Sequence, residues 1–193
     1  MPWEKSFDRN EALDTAMRVF WAKGFERTSY ADVVTATKAS RYGLYDEFGD
    51  KHAMYLEALD HYRDGPVTSL LGNLDQPDAG LSELRSYFER LVEVFRSGEA
   101  QKGCLMSLSA IDLAPHDALV AEKVQANFLR MRRLYSDALK NAQAAGDWPA
   151  GKVPEDTAAA LFGIVQGAAI FQRGGEPVEF VADYVERSVA LLL

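Results

Sequence analysis

Apolar residues recur at the spacing of an α-helix along almost the whole of this 193-residue chain. The i, i+3, i+4, i+7 pattern indicates a helix with one buried face, whereas strict alternation would indicate a strand. Alternating runs bounded by turn residues are missing from the sequence. The chain is therefore predicted to be all-α. Clear instances of the helical pattern are Leu13, Ala16, Met17 and Phe20; Leu84, Phe88, Leu91 and Phe95; and Val124, Phe128, Met131 and Tyr135.

Capping residues, glycines and prolines divide the chain into about nine predicted helices. Asp8 and Gly24 suit the two ends of the first helix. The Gly65-Pro66 pair must end or bend the fourth. The first helix is predicted at about 8–23, the second begins after Thr28 or Ser29, the third begins near Ser40, and the fourth begins after Asp50. The others are predicted at about 81–96, 104–113, 117–145, 155–173 and 177–192.

The charge of the chain argues against bulk attraction to nucleic acid or to anionic lipid. Lys and Arg number 21 against 29 Asp and Glu, a formal net charge of −8. Any binding to a polyanion therefore needs a local patch. The first ten residues show no apolar leader, and the longest uncharged run, 157–172, is shorter than the roughly 20 residues that cross a bilayer. A cytoplasmic protein without membrane partners is expected, which suits its single cysteine, Cys104.

Residues 7–59 hold three predicted helices with very short connections, followed by the start of a fourth. The link between the second and third is the tight Thr37-Lys38-Ala39. A helix, a turn of about three residues and a short helix form the helix-turn-helix plan. In that motif the second helix of the pair enters the DNA major groove. The pattern thus predicts a DNA-binding unit at the amino terminus.

Residues 16–51 contain a series of spaced motifs. The run AMRVFWAKGFERTS covers 16–29, DVV follows at 32–34, SRYGLY at 40–45 and FGDK at 48–51. These motifs resemble the signature of the TetR family of transcriptional regulators. The resemblance implies a three-helix DNA-binding domain at residues 1–60 and a helical effector-binding and dimerisation domain at 61–193. It also implies a homodimer that binds a palindromic double-stranded DNA operator.

Helix starts in the amino-terminal unit supply candidate DNA contacts. Backbone N–H groups and hydroxyls at helix starts can hold phosphates, and arginine and tyrosine can reach base edges. Lys38 stands where the family has a glycine in the turn, and residues 1–60 carry 8 basic and 11 acidic side chains. Few counterions would then be released, so a modest salt dependence is expected. The candidate contacts are Thr28, Ser29, Ser40, Arg41, Tyr42, Tyr45 and Lys51.

Aromatic and sulfur side chains are concentrated between residues 62 and 171. Such residues could line a pocket for a small apolar or aromatic effector, or could simply form core. Cys104 lies at a predicted helix start, so it is either a sensor of electrophiles or oxidants or an inert buried thiol. The candidate pocket residues are Tyr62, Phe88, Phe95, Cys104, Met106, His116, Phe128, Met131, Tyr135, Phe162 and Gln166.

The uncharged stretch 157–172 must be buried on nearly all sides of its helix. Two glycines four residues apart would let another helix approach closely. Together with the last predicted helix, this stretch could form a four-helix dimer interface across a two-fold axis, or it could complete the core of one protomer. The candidate interface residues are Gly163, Gly167, Ile170, Val181, Tyr184 and Val185.

The functional prediction is a ligand-responsive DNA-binding regulator, and the resemblance favours a repressor released by a small-molecule effector. Nucleotide-binding, hydrolase and metalloprotease motifs are missing, so neither enzyme activity, a metal nor a cofactor is expected. The second hypothesis is a helical protein that binds a small molecule or a partner and no longer reads DNA. The third is an all-α enzyme that turns over a pocket ligand.

Overall fold

A computed structural model describes residues 7–97 and 103–193, and the regular secondary structure of these residues is all helical, as predicted. None of the helices described there is long and apolar enough to cross a membrane. In chain order the helices are α1 (Arg9–Lys23), α2 (Tyr30–Thr37), α3 (Arg41–Phe48), α4 (Lys51–Tyr62), α5 (Thr68–Leu71), α6 (Leu81–Arg96), α7 (Leu105–Asp112), α8 (Ala118–Ala145), α9 (Pro154–Gly174) and α10 (Val178–Ala190).

Side-chain caps fix where the first four helices begin. Asp8, Ser29, Ser40 and Asp50 each accept a hydrogen bond from a backbone N–H group in the first turn of the helix that follows. The Asp32 carboxylate in turn accepts a hydrogen bond from the Ser29 N–H, which completes a capping box. These reciprocal bonds satisfy donors that a helix start otherwise leaves unpaired. Of the two starts that the sequence left open for α2, the structure selects Ser29.

The α4 helix does not stop at Gly65-Pro66 but widens into a π-helical turn, Arg63–Val67, before the single turn of α5. Pro66 has no N–H group, and its ring would clash with a carbonyl one turn earlier in a regular helix. The wider turn accommodates Pro66. The Thr68 hydroxyl caps the π-helical turn by donating to the Arg63 carbonyl at 2.9 Å. This bend turns the chain towards the second half of the molecule.

Two apolar cores organise the molecule. The first packs α1–α4 against α7 and the start of α8, and it contains Phe20, Leu44 and Met106. The second packs α6, the rest of α8, α9 and α10, and it contains Phe88 and Val185. Because α7 belongs to the first core and α8 contributes to both cores, the amino-terminal unit of α1–α4 is packed onto the remainder of the chain.

Polar contacts also join α1–α4 to the rest. The Trp21 indole N–H donates to the Gly103 carbonyl at 3.0 Å. His52 Nε2 lies 2.5 Å from Oδ2 of Asp117, the residue that caps α8. The pKa of Asp117 is lowered, chiefly because its carboxylate accepts the Val120 N–H and also because it pairs with His52. These contacts connect the start of α8 and the segment before α7 to the amino-terminal helices.

Candidate functional site

The α3 helix presents one buried face and one exposed face. Leu44 and Phe48 are buried in the first core. Tyr42 and Tyr45 are 71% and 59% exposed, whereas a tyrosine is ordinarily of intermediate burial. Arg41 is exposed beside them at the start of the helix. A short helix that displays an arginine and two tyrosines has the residue types that contact phosphates and base edges.

Tyr30, the first residue of α2, supports this exposed surface. Its hydroxyl donates to the Gly49 carbonyl at 3.1 Å, which ties the start of α2 to the end of α3. The Arg41 guanidinium lies 5.7 Å from the Tyr30 ring centre, and the Tyr45 ring lies 6.2 Å from it. Partial burial raises the pKa of Tyr30. The sequence analysis did not name Tyr30. The feature that could have indicated it is an aromatic residue directly after the capping Ser29.

The turn between α2 and α3 contains a left-handed lysine. Lys38 has φ +58°, and within residues 7–97 and 103–193 it is the one non-glycine residue with positive φ. Its N–H donates to the Val34 carbonyl at 3.0 Å and closes the end of α2. The family's glycine would adopt this conformation without cost, whereas a side chain at this φ is strained. The expected departure from the family pattern is therefore visible in the backbone.

The remaining predicted DNA contacts differ in how accessible they are. Ser29 and Ser40 are exposed caps of α2 and α3. Thr28 is fully buried, and its hydroxyl donates to the Gly24 carbonyl at 2.7 Å, so this side chain has no access to a phosphate. The Lys51 ammonium lies 4.0 Å from the Phe25 ring centre and donates to the Phe25 carbonyl at 3.0 Å. Lys51 keeps two other donors and stays a predicted phosphate contact.

A cavity of about 1140 Å³ lies between α1, the α4–α5 bend, α6, α8 and α9. It is somewhat larger than the roughly 300–1,000 Å³ of usual small-molecule sites. Arg18, Trp21 and Ala22 of α1 form part of its wall, so the amino-terminal unit touches the cavity directly. Eight of the predicted pocket residues line it: Tyr62, Phe95, Cys104, Phe128, Met131, Tyr135, Phe162 and Gln166.

Three predicted pocket residues lie elsewhere. Phe88 is one residue beyond Tyr87, about 100° further around α6. It therefore faces α10 and a separate groove with Val185. Met106 is buried in the first core, because α7 packs towards α1–α4. His116 is exposed in the turn before α8. These three positions were wrong because the sequence pattern did not show which neighbour each helix face meets.

Most polar groups in the cavity wall already have partners. The Ser107 hydroxyl donates to Gln166 Oε1 at 2.5 Å, and the Tyr135 hydroxyl donates to that of Tyr87 at 2.8 Å. Burial raises the pKa of both tyrosines, so their hydroxyls stay neutral. Asn127 differs, since its Oδ1 atom is buried without a hydrogen-bond partner among the described residues.

The predicted dimer residues divide into exposed and buried positions. Gly163 and Ile170 are exposed on α9. Gly167 is covered by its own protomer, because a Cβ there would lie 2.9 Å from the Tyr184 hydroxyl, and Tyr184 itself is half-buried. Val181 and Val185 are fully buried in the second core. These two valines belong to the core of their own protomer, so the prediction that they lie at the dimer interface is wrong.

Phe180, on α10, was missed as an interface candidate. It is 49% exposed and packs edge-on against Phe171 of α9, with ring centres 5.6 Å apart. With Gly163 and Ile170 it leaves an apolar surface on α9 and α10. The sequence analysis chose the periodically spaced valines of α10 instead, and Phe180 lies on the opposite face of the helix from them.

Two family models match this chain. The model described as "Bacterial regulatory proteins, tetR family" matches residues 12–58, which cover α2, α3 and most of α1 and α4. The model described as "Tetracyclin repressor-like, C-terminal domain" matches residues 80–174, from the start of α6 to the end of α9. The two matches together account for both halves of the fold.

Similar proteins include two regulators and one DNA complex. The HTH-type transcriptional repressor ComR of Escherichia coli strain K12 is 33% identical over 91% of this chain and 84% of ComR. The uncharacterized HTH-type transcriptional regulator YezE of Bacillus subtilis strain 168 is 29% identical over 74% of each chain. A cysteine mutant of the TetR family regulator CifR, complexed with 26-base-pair double-strand operator DNA, has a TM-score of 0.82 and 28% identity over 97% of this chain and 98% of CifR.

These likenesses agree with the geometry of the molecule. The exposed Arg41, Tyr42 and Tyr45 lie on the second helix of a helix-turn-helix, and the carboxyl-terminal helices line a cavity together with α1 and the end of α4. The resemblance expected from residues 16–51 extends across nearly the whole chain. The chain belongs to the TetR family and is a DNA-binding transcriptional regulator.

Proposed function

We propose that the protein is a homodimeric repressor that binds a palindromic operator and is released when a small molecule occupies the cavity. In this proposal the α3 helices of the two protomers enter successive major grooves, about 34–36 Å apart. The observation that carries it is the exposed face of α3, where the side chains of Arg41, Tyr42 and Tyr45 lie side by side outside the protomer core.

Two relatives support the DNA partner and the direction of regulation. CifR was solved with operator DNA, and its fold matches this chain over almost its full length. ComR is named a repressor. By analogy, Arg41, Tyr42 and Tyr45 would contact base edges and phosphates, whereas Ser29, Ser40 and Lys51 would position the domain on the backbone. Thr28 is left out of the proposed interface because its hydroxyl is buried.

The proposed dimer forms through the outer faces of α9 and α10. Gly163, Ile170 and Phe180 are exposed there, and Tyr184 lies half-buried between them. Pairing these faces across a two-fold axis would remove apolar surface from water and place both α3 helices on one assembly. A regulator of this kind would act in the cytoplasm, where its operator lies.

The proposed response to the effector runs through the wall that α1 contributes to the cavity. Trp21 lines the cavity, and its indole N–H is bonded to the Gly103 carbonyl. A ligand that contacts Trp21 would bind one orientation of α1 better than another and so shift the spacing of the α3 helices. A coupling of about 1–3 kcal/mol would change operator occupancy roughly 5- to 150-fold. The cavity would bind this ligand without turning it over.

The test is fluorescence anisotropy with labelled promoter DNA that adjoins the protein's own gene. Wild type should bind saturably at low salt, and Arg41→Ala should weaken binding at least about tenfold while sedimentation still shows a dimer. Arg133→Ala removes another exposed arginine, on α8, and should leave binding unchanged. Absence of specific, saturable binding would refute the proposal and favour a helical protein that no longer reads DNA.

A further inference from the structure

We propose that Lys38 binds a phosphate of the DNA backbone, and that the strained turn between α2 and α3 is retained for this contact. The inference rests on the proposed operator complex, to which it adds a residue that is not among the predicted contacts. Three observations carry it: a left-handed backbone at a lysine, a side chain that the fold does not use, and a position directly before α3.

The backbone of Lys38 is an outlier, with φ +58° and ψ +12°. In this left-handed conformation the Cβ atom crowds a carbonyl oxygen, which costs free energy that a glycine does not lose. Lysine also lacks the short polar side chain with which asparagine stabilises the same conformation locally. Residues held in such conformations concentrate at functional sites, where the retained side chain has a use. The outlier therefore raises the question of what the lysine side chain contacts.

The folded protomer does not use the Lys38 ammonium. Lys38 is exposed, and its ammonium forms neither a hydrogen bond nor an ion pair with any residue that the structure describes. The bond that the residue does form runs from its backbone N–H to the Val34 carbonyl at 3.0 Å, and a glycine would form it equally well. The side chain thus adds strain to the free protein, and an interaction that offsets this strain requires a partner outside the protomer.

The position of Lys38 in the helix-turn-helix indicates that partner. Lys38 lies two residues before Ser40, which caps α3, and three residues before Arg41, the first residue of that helix. When the first residues of α3 reach base edges in the major groove, the chain just before them passes the phosphates that border the groove. A lysine carries three donors on a flexible four-carbon stem, so it can reach such a phosphate without precise placement of its backbone.

The amino-terminal unit has few cations available for DNA. Residues 1–60 carry 8 basic and 11 acidic side chains, and Arg9, Arg18 and Lys23 are bound to carboxylates. A polyanion requires local positive charge on a protein of this composition, and an unpaired ammonium beside α3 supplies it. A glycine at position 38 would favour the free fold, whereas the lysine favours the complex with DNA.

The experiment measures the affinity for promoter DNA by anisotropy at several salt concentrations, for wild type, Lys38→Gly and Lys38→Asn. Both substitutions suit the left-handed backbone and remove the ammonium. A dimer would lose two phosphate contacts, so the slope of log affinity against log salt should become shallower by about 1.8. The loss of affinity should therefore shrink about tenfold between roughly 50 and 200 mM salt. The urea midpoint of Lys38→Gly should rise meanwhile, an opposition that a purely structural lysine would not produce.

Two further variants separate a direct contact from bulk charge. Lys38→Arg keeps the positive charge and should keep the slope of wild type. Lys140→Ala also removes one positive charge per protomer, but from α8, where the ammonium pairs with Glu155 at 2.6 Å, and it should leave the slope unchanged. An unchanged slope in Lys38→Gly would overturn the inference. The same holds if Lys38→Arg loses the slope or if Lys140→Ala changes it as much as Lys38→Gly does.

The contact at Lys38 and the repressor proposal can fail separately. Specific, saturable binding of promoter DNA with equal slopes for wild type and Lys38→Gly would uphold the repressor proposal and refute the phosphate contact. Equal affinity for promoter DNA and for a duplex of unrelated sequence would refute the repressor proposal, while a shallower slope in Lys38→Gly would still support the contact. A chain that binds neither duplex at low salt would refute both.

Discussion

Truncating Tyr42 should separate DNA recognition from folding within a single helix. Its side chain is mostly exposed, so Tyr42→Ala removes little buried surface and should change the free energy of unfolding by less than about 0.5 kcal/mol. Leu44, two residues later, is fully buried. Leu44→Ala should lower the free energy of unfolding by about 2–5 kcal/mol, because it leaves a cavity in the first core.

The effect of Tyr42→Ala on operator binding is set by the symmetry of the proposed dimer. A lost contact to a base edge costs about 1 kcal/mol at the lower end of the usual range. Two protomers lose the same contact, so the cost is about 2 kcal/mol per dimer, or roughly thirtyfold in affinity. Tyr42→Phe keeps the ring and removes the hydroxyl, so its affinity shows whether a hydrogen bond or ring packing carries the contact.

The assay pairs anisotropy at fixed salt with urea unfolding followed by circular dichroism. Tyr42→Ala should lose operator affinity with an unchanged unfolding midpoint, whereas Leu44→Ala should shift the midpoint. If Tyr42→Ala leaves operator affinity intact, or destabilises the protein by more than about 1 kcal/mol, then the exposed face of α3 has been misassigned.

Two further changes test the α8 cap and the strained turn. Asp117→Ala should lower the free energy of unfolding by about 1 kcal/mol, because the cap of α8 is lost, whereas Asp117→Asn keeps the cap and isolates the pairing with His52. The pKa of Asp117 is lowered in the folded state, so its carboxylate stabilises the fold above its unfolded pKa near 4, and this stabilisation is lost as the pH falls below that value. The difference in free energy of unfolding between wild type and Asp117→Ala, measured by urea unfolding, should therefore narrow below about pH 4. A difference that widens there would contradict this reasoning. Lys38→Gly should raise the free energy of unfolding by about 0.5–1 kcal/mol by relieving the left-handed strain, and a lower Tm in calorimetry would show that the turn is not strained.

Local chemistry made the helix starts predictable from the sequence. Asp8, Ser40 and Asp50 each cap a helix by accepting from an N–H group only three residues away, so no knowledge of the tertiary fold was needed. The exposed α3 face was predictable for a similar reason, because Leu44 and Phe48 define the buried side and the remaining positions must face outward. The family resemblance supplied the reason why those outward residues matter.

Positions that depend on the identity of a packing partner could not be predicted. Val181 and Val185 have the periodicity of a buried face, but the sequence does not show whether that face meets its own chain or a second copy. Phe88 and Tyr87 are adjacent on α6, yet one faces α10 and the other faces the cavity. Periodicity shows that a residue is covered, and only the three-dimensional arrangement shows by what.

The wall that α1 contributes to the cavity limits how regulators of this type can be recombined. Arg18, Trp21 and Ala22 belong to the amino-terminal helix, yet they line the same space as Asn127 and Phe162. A chimaera that takes α1–α4 from a relative to obtain a new operator preference would also exchange part of the wall of the cavity that we propose as the effector site. Engineers who build hybrid biosensors from this chain should therefore transplant α2 and α3 alone and keep its native α1.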